Sequence, residues 1–255
     1  MMFDNLPVSV NPISVAWQAG KIGWQKRRFL GFWWRGLRIG KGTLYVSCAQ
    51  LIRVQHKAKY LLVPNSRRQQ MQPPGGVVQM HSAGHDFLRK IGARPASVYE
   101  IKGKDENDLR VHVPGKHLIR FLDWYLKGEG RESSAVDREF REELLDPGLL
   151  LASLFESPRL QRAHTVLTGI RQSEYFECPE LLVHEFFDLV DVSGAQGAHL
   201  DALQEAKHCG PRIGPKAKFG WYTADEIKRG GHFPGAEKQH WKIGDHTKWM
   251  ICLAQ

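Results

Sequence analysis

Residues 133–145 constrain the fold most, because they combine a helix start, an apolar stripe and a cluster of acidic side chains. Ser133 or Ser134 can cap a helix that continues to about Leu145, before Pro147 stops it. At about 100° per residue, the apolar stripe and three glutamates fall side by side on this helix. The stripe consists of Val136, Phe140 and Leu144, and the glutamates are Glu139, Glu142 and Glu143. The pattern predicts a helix that packs one face on a core and carries a carboxylate edge.

This carboxylate edge has two interpretations. Three glutamates within an arc of about 100° repel one another at neutral pH, which is typical of a solvated acidic face softened by Arg138 and Arg141. The alternative is a hard-cation site, because Mg²⁺ prefers oxygen ligands and keeps positions for water and phosphate oxygens. A bound metal polarises a phosphoryl group and activates water. Spacing alone leaves both interpretations open.

The rest of the chain alternates short apolar segments with amphipathic ones, which predicts an α/β (α+β) fold. A sharp Pro73-Pro74-Gly75-Gly76 loop leads into an apolar Val77-Val78 segment. Strands are predicted at 43–54, 60–63, 97–101, 109–113, 149–155, 164–169, 181–190 and 219–222, and helices at 117–126, 199–207 and 224–228.

The segment Arg138-Glu139-Phe140-Arg141-Glu142-Glu143 resembles the core of the Nudix box. The PPGG loop with its following strand, and the strand-to-helix segment 221–227, also look like Nudix elements. Segments 108–111 and 128–131 are similar to the SMODS-associated Nudix domains, which are bacterial domains found beside second-messenger nucleotidyltransferases in antiphage systems. The resemblance implies an α/β/α sandwich with a mixed sheet.

The chain departs from the family pattern in its spacing. Gly76 and Arg138 are 62 residues apart, which predicts an inserted subdomain at about 77–127. The box also requires an upstream glutamate, and neither Glu129, nine residues before the arginine, nor Glu132, six before it, fits this position. The domain organisation is therefore predicted as an N-terminal extension, 1–42, and a Nudix domain, 43–255.

The resemblance implies metal-dependent hydrolysis of a nucleoside diphosphate linked to another group, such as ADP-ribose, an NAD-like molecule or a nucleoside polyphosphate. By position, Glu142 and Glu143 would be ligands of Mg²⁺ or Mn²⁺. Glu139 would be a ligand or the base that deprotonates the attacking water, and Arg138 would orient the glutamates. A role in antiphage defence follows from the same resemblance.

Five further residues are candidates for substrate binding. Gly75 and Gly76 would let the backbone pass close to the helix and its metals, although a plain turn explains them too. Arg67 and Arg68 precede the PPGG loop, where they would contact a phosphate of the substrate. Alternatively, they belong to a solvated loop without a binding role. Tyr222 would stack on a base, and its alternative is core packing.

A second functional class is a sensor that keeps the fold and binds a nucleotide second messenger or nucleic acid without turnover. The altered spacing favours the sensor, and the three retained glutamates favour the enzyme. The enzyme requires the three glutamates to converge around a cation, and the sensor does not.

Charge is distributed unevenly along the chain. Residues 5–85 contain 12 lysines and arginines and no acidic residue, while the net charge of the whole chain is +9. In residues 1–42 the cations alternate with Trp and Phe, as in a nucleic-acid surface, an interfacial membrane segment, a homodimer arm or part of a core. We interpret the acid-free stretch first as a surface for a phosphate-rich substrate or nucleotide.

Compartment and membrane topology are predicted from what the sequence lacks. No apolar run approaches the ~18 residues of a membrane span, and the first residues do not resemble a signal peptide. Four separated cysteines without a CxxC pair favour a reducing cytoplasm.

Overall fold

The computed structural model describes residues 31–32, 34–65, 68–96, 107–173, 177–206, 218–231 and 242–251. The predicted strand at 97–101, residues 1–30 and 33 of the basic-aromatic extension, and Arg67 lie outside these residues. The strands are β1 (Thr43–Arg53), β2 (Gln55–His56), β3 (Lys59–Asn65), β4 (Gln70–Gln72), β5 (Gly75–Val77), β6 (Arg94–Pro95), β7 (Arg110–Pro114), β8 (Leu160–Leu167), β9 (Arg171–Gln172), β10 (Pro179–Leu189), β11 (Gly220–Thr223) and β12 (Lys242–Ile243).

Helices connect and cover these strands. They are α1 (residues 34–39), α2 (Ser82–Lys90), α3 (Leu118–Lys127), α4 (Ala135–Phe140), α5 (Ala152–Phe155), α6 (Gly194–Glu205) and α7 (Ala224–Lys228), with 3₁₀ turns at Gly115–His117 and Asp245–Met250. Among the described residues, none of these helices combines the length and apolar character needed to cross a bilayer.

Strand β1 is the centre of a seven-stranded mixed sheet. It pairs in parallel with β10 on one side and antiparallel with β5 and β7 on the other, and β8 pairs antiparallel with β10. Nine of the eleven residues of β1 are buried, because both faces of this strand are covered. The mixed sheets and flanking helices confirm the predicted α/β fold.

A second sheet has the order β11-β3-β4-β12, with β2 paired to β3. The β2–β3 hairpin turns at Lys57 and Ala58, which both have positive φ angles. The region around 77–127, predicted as an insertion, supplies β6 and β7 to the main sheet and α3 to its core. These residues therefore extend the main sheet.

Two local predictions need correction. Residues 149–155 were expected to form a strand, but they contain the short helix α5, whose Phe155 is fully buried. The helix expected to run to Leu145 is α-helical only to Phe140, and Arg141–Leu145 continues it as a π turn. The predicted apolar stripe of this helix is confirmed, since its three members are at most 2% exposed.

Candidate carboxylate site

Two consecutive glycines bring strand β5 close to its neighbours. Gly75 has φ +133, and a Cβ there would lie 2.8 Å from the Cα of Leu51 on β1. A Cβ on Gly76 would lie within 2.5 Å of the carboxyl carbon of Glu139. Only glycine leaves room for both approaches, so these two residues let helix α4 place a carboxylate directly on the strand.

The three glutamates differ in their surroundings. Glu139 is 8% exposed and lies against Gly76. Glu143 accepts a hydrogen bond from the backbone N–H of Gly75 at 2.7 Å. Glu142, with 44% of its side chain exposed, lies at the solvent edge. The cluster therefore has two carboxylates held by β5 and one that is open to solvent.

Arg138 holds this cluster in place. Its guanidinium donates to Glu132 at 3.0 Å, to Glu139 at 2.7 Å and to the carbonyl of Val77 at 3.2 Å, and it lies 3.5 Å from Glu142. Burial favours the neutral guanidine, but the hydrogen bond to Glu132 and the charges of Glu132 and Glu139 outweigh it and raise the pKa of Arg138.

The upstream partner of Arg138 is Glu132, since Glu129 is exposed. Glu132 also accepts from the backbone N–H of Gln79 at 3.1 Å, just beyond the end of β5. By spacing, neither Glu129 nor Glu132 fits the upstream position, and the chain fold brings Glu132 to the arginine. The Glu132 carboxylate thus connects Arg138 of helix α4 to the backbone just beyond β5 by hydrogen bonds.

The π turn lies at the two downstream glutamates. The N–H of Asp146 bonds to the carbonyl of Arg141, five residues earlier, at 2.9 Å. One extra residue in a turn rotates Glu142 and Glu143 away from the positions that a regular α-helix would give them. Such turns are frequent at functional sites, and a periodicity argument cannot detect them.

Burial and mutual repulsion raise the pKa values of the two inner carboxyls. Burial raises the pKa of Glu143 to about 7, with Glu139 and Glu142 adding to the rise and the Gly75 N–H opposing it. Burial also raises the pKa of Glu139, against the opposing charge of Arg138. The cluster therefore has less positive charge than its carboxylates require near neutral pH.

The side chains of the cluster are of the kind that binds a divalent cation, since carboxylate oxygens are the preferred ligands of Mg²⁺ and Arg138 supplies only one positive charge to the three glutamates. Within the described ranges, however, no three His, Cys, Asp or Glu side chains are arranged to hold a metal ion. Arg138 occupies an oxygen of Glu139 instead. A cation bound here would compete with Arg138 for that oxygen.

The raised pKa of Glu143 predicts a pH dependence in the metal-free protein. Between pH 4.5 and 7 the folded state keeps a proton that the unfolded state releases, so the free energy of unfolding falls as pH rises through this range. The loss reaches about 3 kcal/mol at most. Urea unfolding at several pH values in a chelator measures it, and Glu143→Gln is expected to flatten the slope; equal slopes would contradict the assignment.

A buried polar network fixes the start of the carboxylate helix. The side-chain oxygen of Gln50 on β1 accepts from the N–H of Val136 at 3.0 Å, and its amide nitrogen donates to Glu185 on β10 at 2.9 Å. Tyr125 donates to the same carboxylate at 3.1 Å, and Arg162 pairs with it at 2.7 Å. Sequence reasoning missed this network, although Gln50 and Glu185 are polar residues within otherwise apolar strands.

Removing the Gln50 amide is expected to destabilise the protein. Gln50→Met keeps the volume but leaves the Val136 N–H without its acceptor and removes one of the donors to Glu185, which keeps Tyr125, at a cost of about 1–3 kcal/mol. Urea unfolding measures the change. The matched control is Gln161→Met on exposed β8, which is expected to change the free energy of unfolding by less than about 0.5 kcal/mol. Equal effects at the two sites would contradict the role of Gln50.

The remaining predicted site residues lie elsewhere. Tyr222 is fully buried in a core cluster with Leu62 and Met71, so its ring packs in the interior. Arg68 is exposed in the β3–β4 connection, and its charge acts on His184 and His246. The structure thus brings together the glycines, Arg138 and the three glutamates, whereas Tyr222 lies in the core and Arg68 lies near the two histidines.

The family model described as the SMODS-associated NUDIX domain covers residues 43–251. No curated protein matches the chain.

Proposed function

This chain belongs to the SMODS-associated NUDIX domain family, and we propose that it hydrolyses the phosphoanhydride of a nucleoside diphosphate linked to another group, using Mg²⁺ or Mn²⁺. The main observation behind the proposal is that Glu139 packs against Gly76 and Glu143 accepts a hydrogen bond from Gly75, with Glu142 beside them. ADP-ribose, NAD-like molecules and nucleoside polyphosphates are the proposed substrates. Antiphage defence is the proposed biological setting.

Each residue has a chemical role in this proposal. Glu142 and Glu143 would hold the cation, which when bound polarises the phosphoryl group and lowers the pKa of water. Glu139, whose pKa is raised by burial, would accept a proton from the attacking water. Arg138 and Glu132 position these carboxylates through hydrogen bonds, and Gly76 leaves space for Glu139.

A sensor without turnover is the second candidate, and one observation favours it. Arg138 pairs with Glu139 at 2.7 Å, as an internal cation would in a site that has lost its metal. The sensor would bind a nucleotide second messenger or nucleic acid on the same domain. The raised pKa of Glu143 favours the enzyme, because an arginine that satisfied the cluster would lower that pKa.

A substrate panel tests the proposal. The full chain is incubated with ADP-ribose, NAD, dinucleoside polyphosphates and nucleoside triphosphates, each with Mg²⁺, Mn²⁺ or a chelator, and nucleotide products are separated by chromatography. We expect metal-dependent release of a nucleoside monophosphate from at least one substrate. Negligible turnover of every substrate, with binding retained, supports the sensor instead.

A further inference from the structure

A cluster of aromatic and basic side chains lies on the other face of the main sheet. On β10, Glu185 points towards helix α4 through its bond to Gln50. His184, its neighbour, therefore points to the opposite face. There its ring meets the ring of His246 edge-on at 5.6 Å and that of Trp249 at 5.2 Å, both from the C-terminal 3₁₀ turn. This cluster shares no residue with the carboxylate site.

His184 has a buried nitrogen that nothing in the described part of the chain satisfies. The residue is only 7% exposed, and its Nδ1 has no hydrogen-bond partner there. Buried side-chain nitrogens are nearly always hydrogen-bonded, because desolvation without a partner is costly. An unpartnered, buried ring nitrogen beside a second histidine is explained if the pair receives a ligand.

Positive charge from Arg68 acts on the two rings. Burial lowers the pKa of His184 well below its usual range, and the charges of His246 and Arg68 lower it further. Burial lowers the pKa of His246 to about 4, again with Arg68 contributing. Among the described residues, Asp245 is the carboxylate that acts on His246, and it lies 3.2 Å from Lys248 and 3.9 Å from Lys242. A ligand of negative charge matches these surroundings.

A metal ion does not match them. Within the described ranges no three acidic, histidine or cysteine side chains are placed to hold one, and the nearby guanidinium of Arg68 repels a cation. An anion instead gains from that guanidinium and from histidine N–H donors. A phosphoryl dianion gains most, because it carries the higher charge and several acceptor oxygens.

We propose that Arg68, His184 and His246 form a binding site for a phosphoryl group, on the sheet face opposite the carboxylate helix. The ligand is the phosphate of a nucleotide or free inorganic phosphate, which share this chemistry. The site does not depend on the hydrolysis proposed above, because none of its residues contributes to the carboxylate cluster. It would let the domain respond to a second phosphorylated molecule.

The test follows the histidine ring resonances of the full chain by NMR while inorganic phosphate or AMP is added. We expect the signals of His184 and His246 to shift saturably, and the pKa of His246 to rise from about 4 when the anion is bound. Tighter binding of AMP identifies a nucleotide as the ligand, and equal affinities identify the phosphate group alone. Unshifted signals for both ligands at millimolar concentrations overturn the proposal.

Two variants test whether the shifts of the histidine resonances arise from binding at this site. Arg68→Gln is expected to weaken binding by at least about tenfold, since a charge-assisted hydrogen bond is lost. Arg89→Gln, at an exposed arginine of α2, is the matched control and is expected to bind like the wild type. The ring signals of His56 and His199 report whether each variant is folded. Equal affinity of the wild type and the folded Arg68→Gln variant refutes the site.

Discussion

Glu143→Gln is expected to lower the turnover of the best substrate by about 10²-fold or more while the protein remains folded. Glutamine keeps an oxygen for the Gly75 N–H, which bonds to Glu143 at 2.7 Å, but it removes the negative charge that would hold the cation. Loss of a few kcal/mol of transition-state stabilisation corresponds to that change in rate. Steady-state kinetics with Mg²⁺ measures it, and urea unfolding verifies the fold.

The matched control is Glu129→Gln, at an exposed glutamate upstream of the same helix. It removes the same charge from the chain without touching the cluster, so its turnover is expected to stay within about twofold of the wild type. If both variants were equally active, Glu143 would have no part in the reaction.

Gly76→Ala is expected to remove activity and to destabilise the fold. The added Cβ lies within 2.5 Å of the carboxyl carbon of Glu139, which is 8% exposed and bonded to Arg138. That carboxylate has to move, or helix α4 has to separate from β5, at a cost of about 1–3 kcal/mol. Urea unfolding and kinetics on the same preparation measure the two losses.

Gly197→Ala provides the comparison for this steric effect. Gly197 lies within helix α6, and a Cβ there meets nothing within 4 Å. Alanine is the better helix former by about 1 kcal/mol, so this variant is expected to be slightly more stable and fully active. A Gly76→Ala protein with the stability and turnover of Gly197→Ala would show that the close approach of Glu139 to the strand is unimportant.

Local patterns predicted the elements that their own residues determine. Strand β1 was predicted at 43–54 and extends from Thr43 to Arg53, because its β-branched and apolar residues favour a buried strand. The apolar stripe of the carboxylate helix was predicted from helical periodicity, and its three residues are buried. The π turn at Arg141–Leu145 was not predicted, since nothing in local periodicity distinguishes it from a regular helix.

Contacts between distant residues were beyond a local pattern. Gln50 and Glu185 are 135 positions apart, and their hydrogen bond depends on the parallel pairing of β1 and β10. Glu132 reaches Arg138 because the chain between α3 and α4 follows the end of β5. In both cases tertiary structure, and not spacing along the chain, selects the partner.

In the folded chain, the basic residues of the acid-free stretch, 5–85, have at least two different roles. Arg53 binds Asp188 at 2.6 Å, and Lys57 lies 2.6 Å from Asp201, so these cations neutralise acidic residues of the C-terminal half. Arg68 acts on the buried histidines instead. Part of the basic charge therefore stabilises the fold, and the part near His184 is the one we assign to a phosphorylated ligand.

Binding of Mn²⁺ tests most directly the central claim that the three glutamates form a divalent-cation site. Electron paramagnetic resonance counts free and bound Mn²⁺ in solutions of the wild type, of Glu129→Gln and of the double variant Glu142→Gln, Glu143→Gln. We predict bound Mn²⁺ in the first two proteins and its loss in the folded double variant. Absence of bound Mn²⁺ from the wild type, or equal binding by all three, would contradict the account.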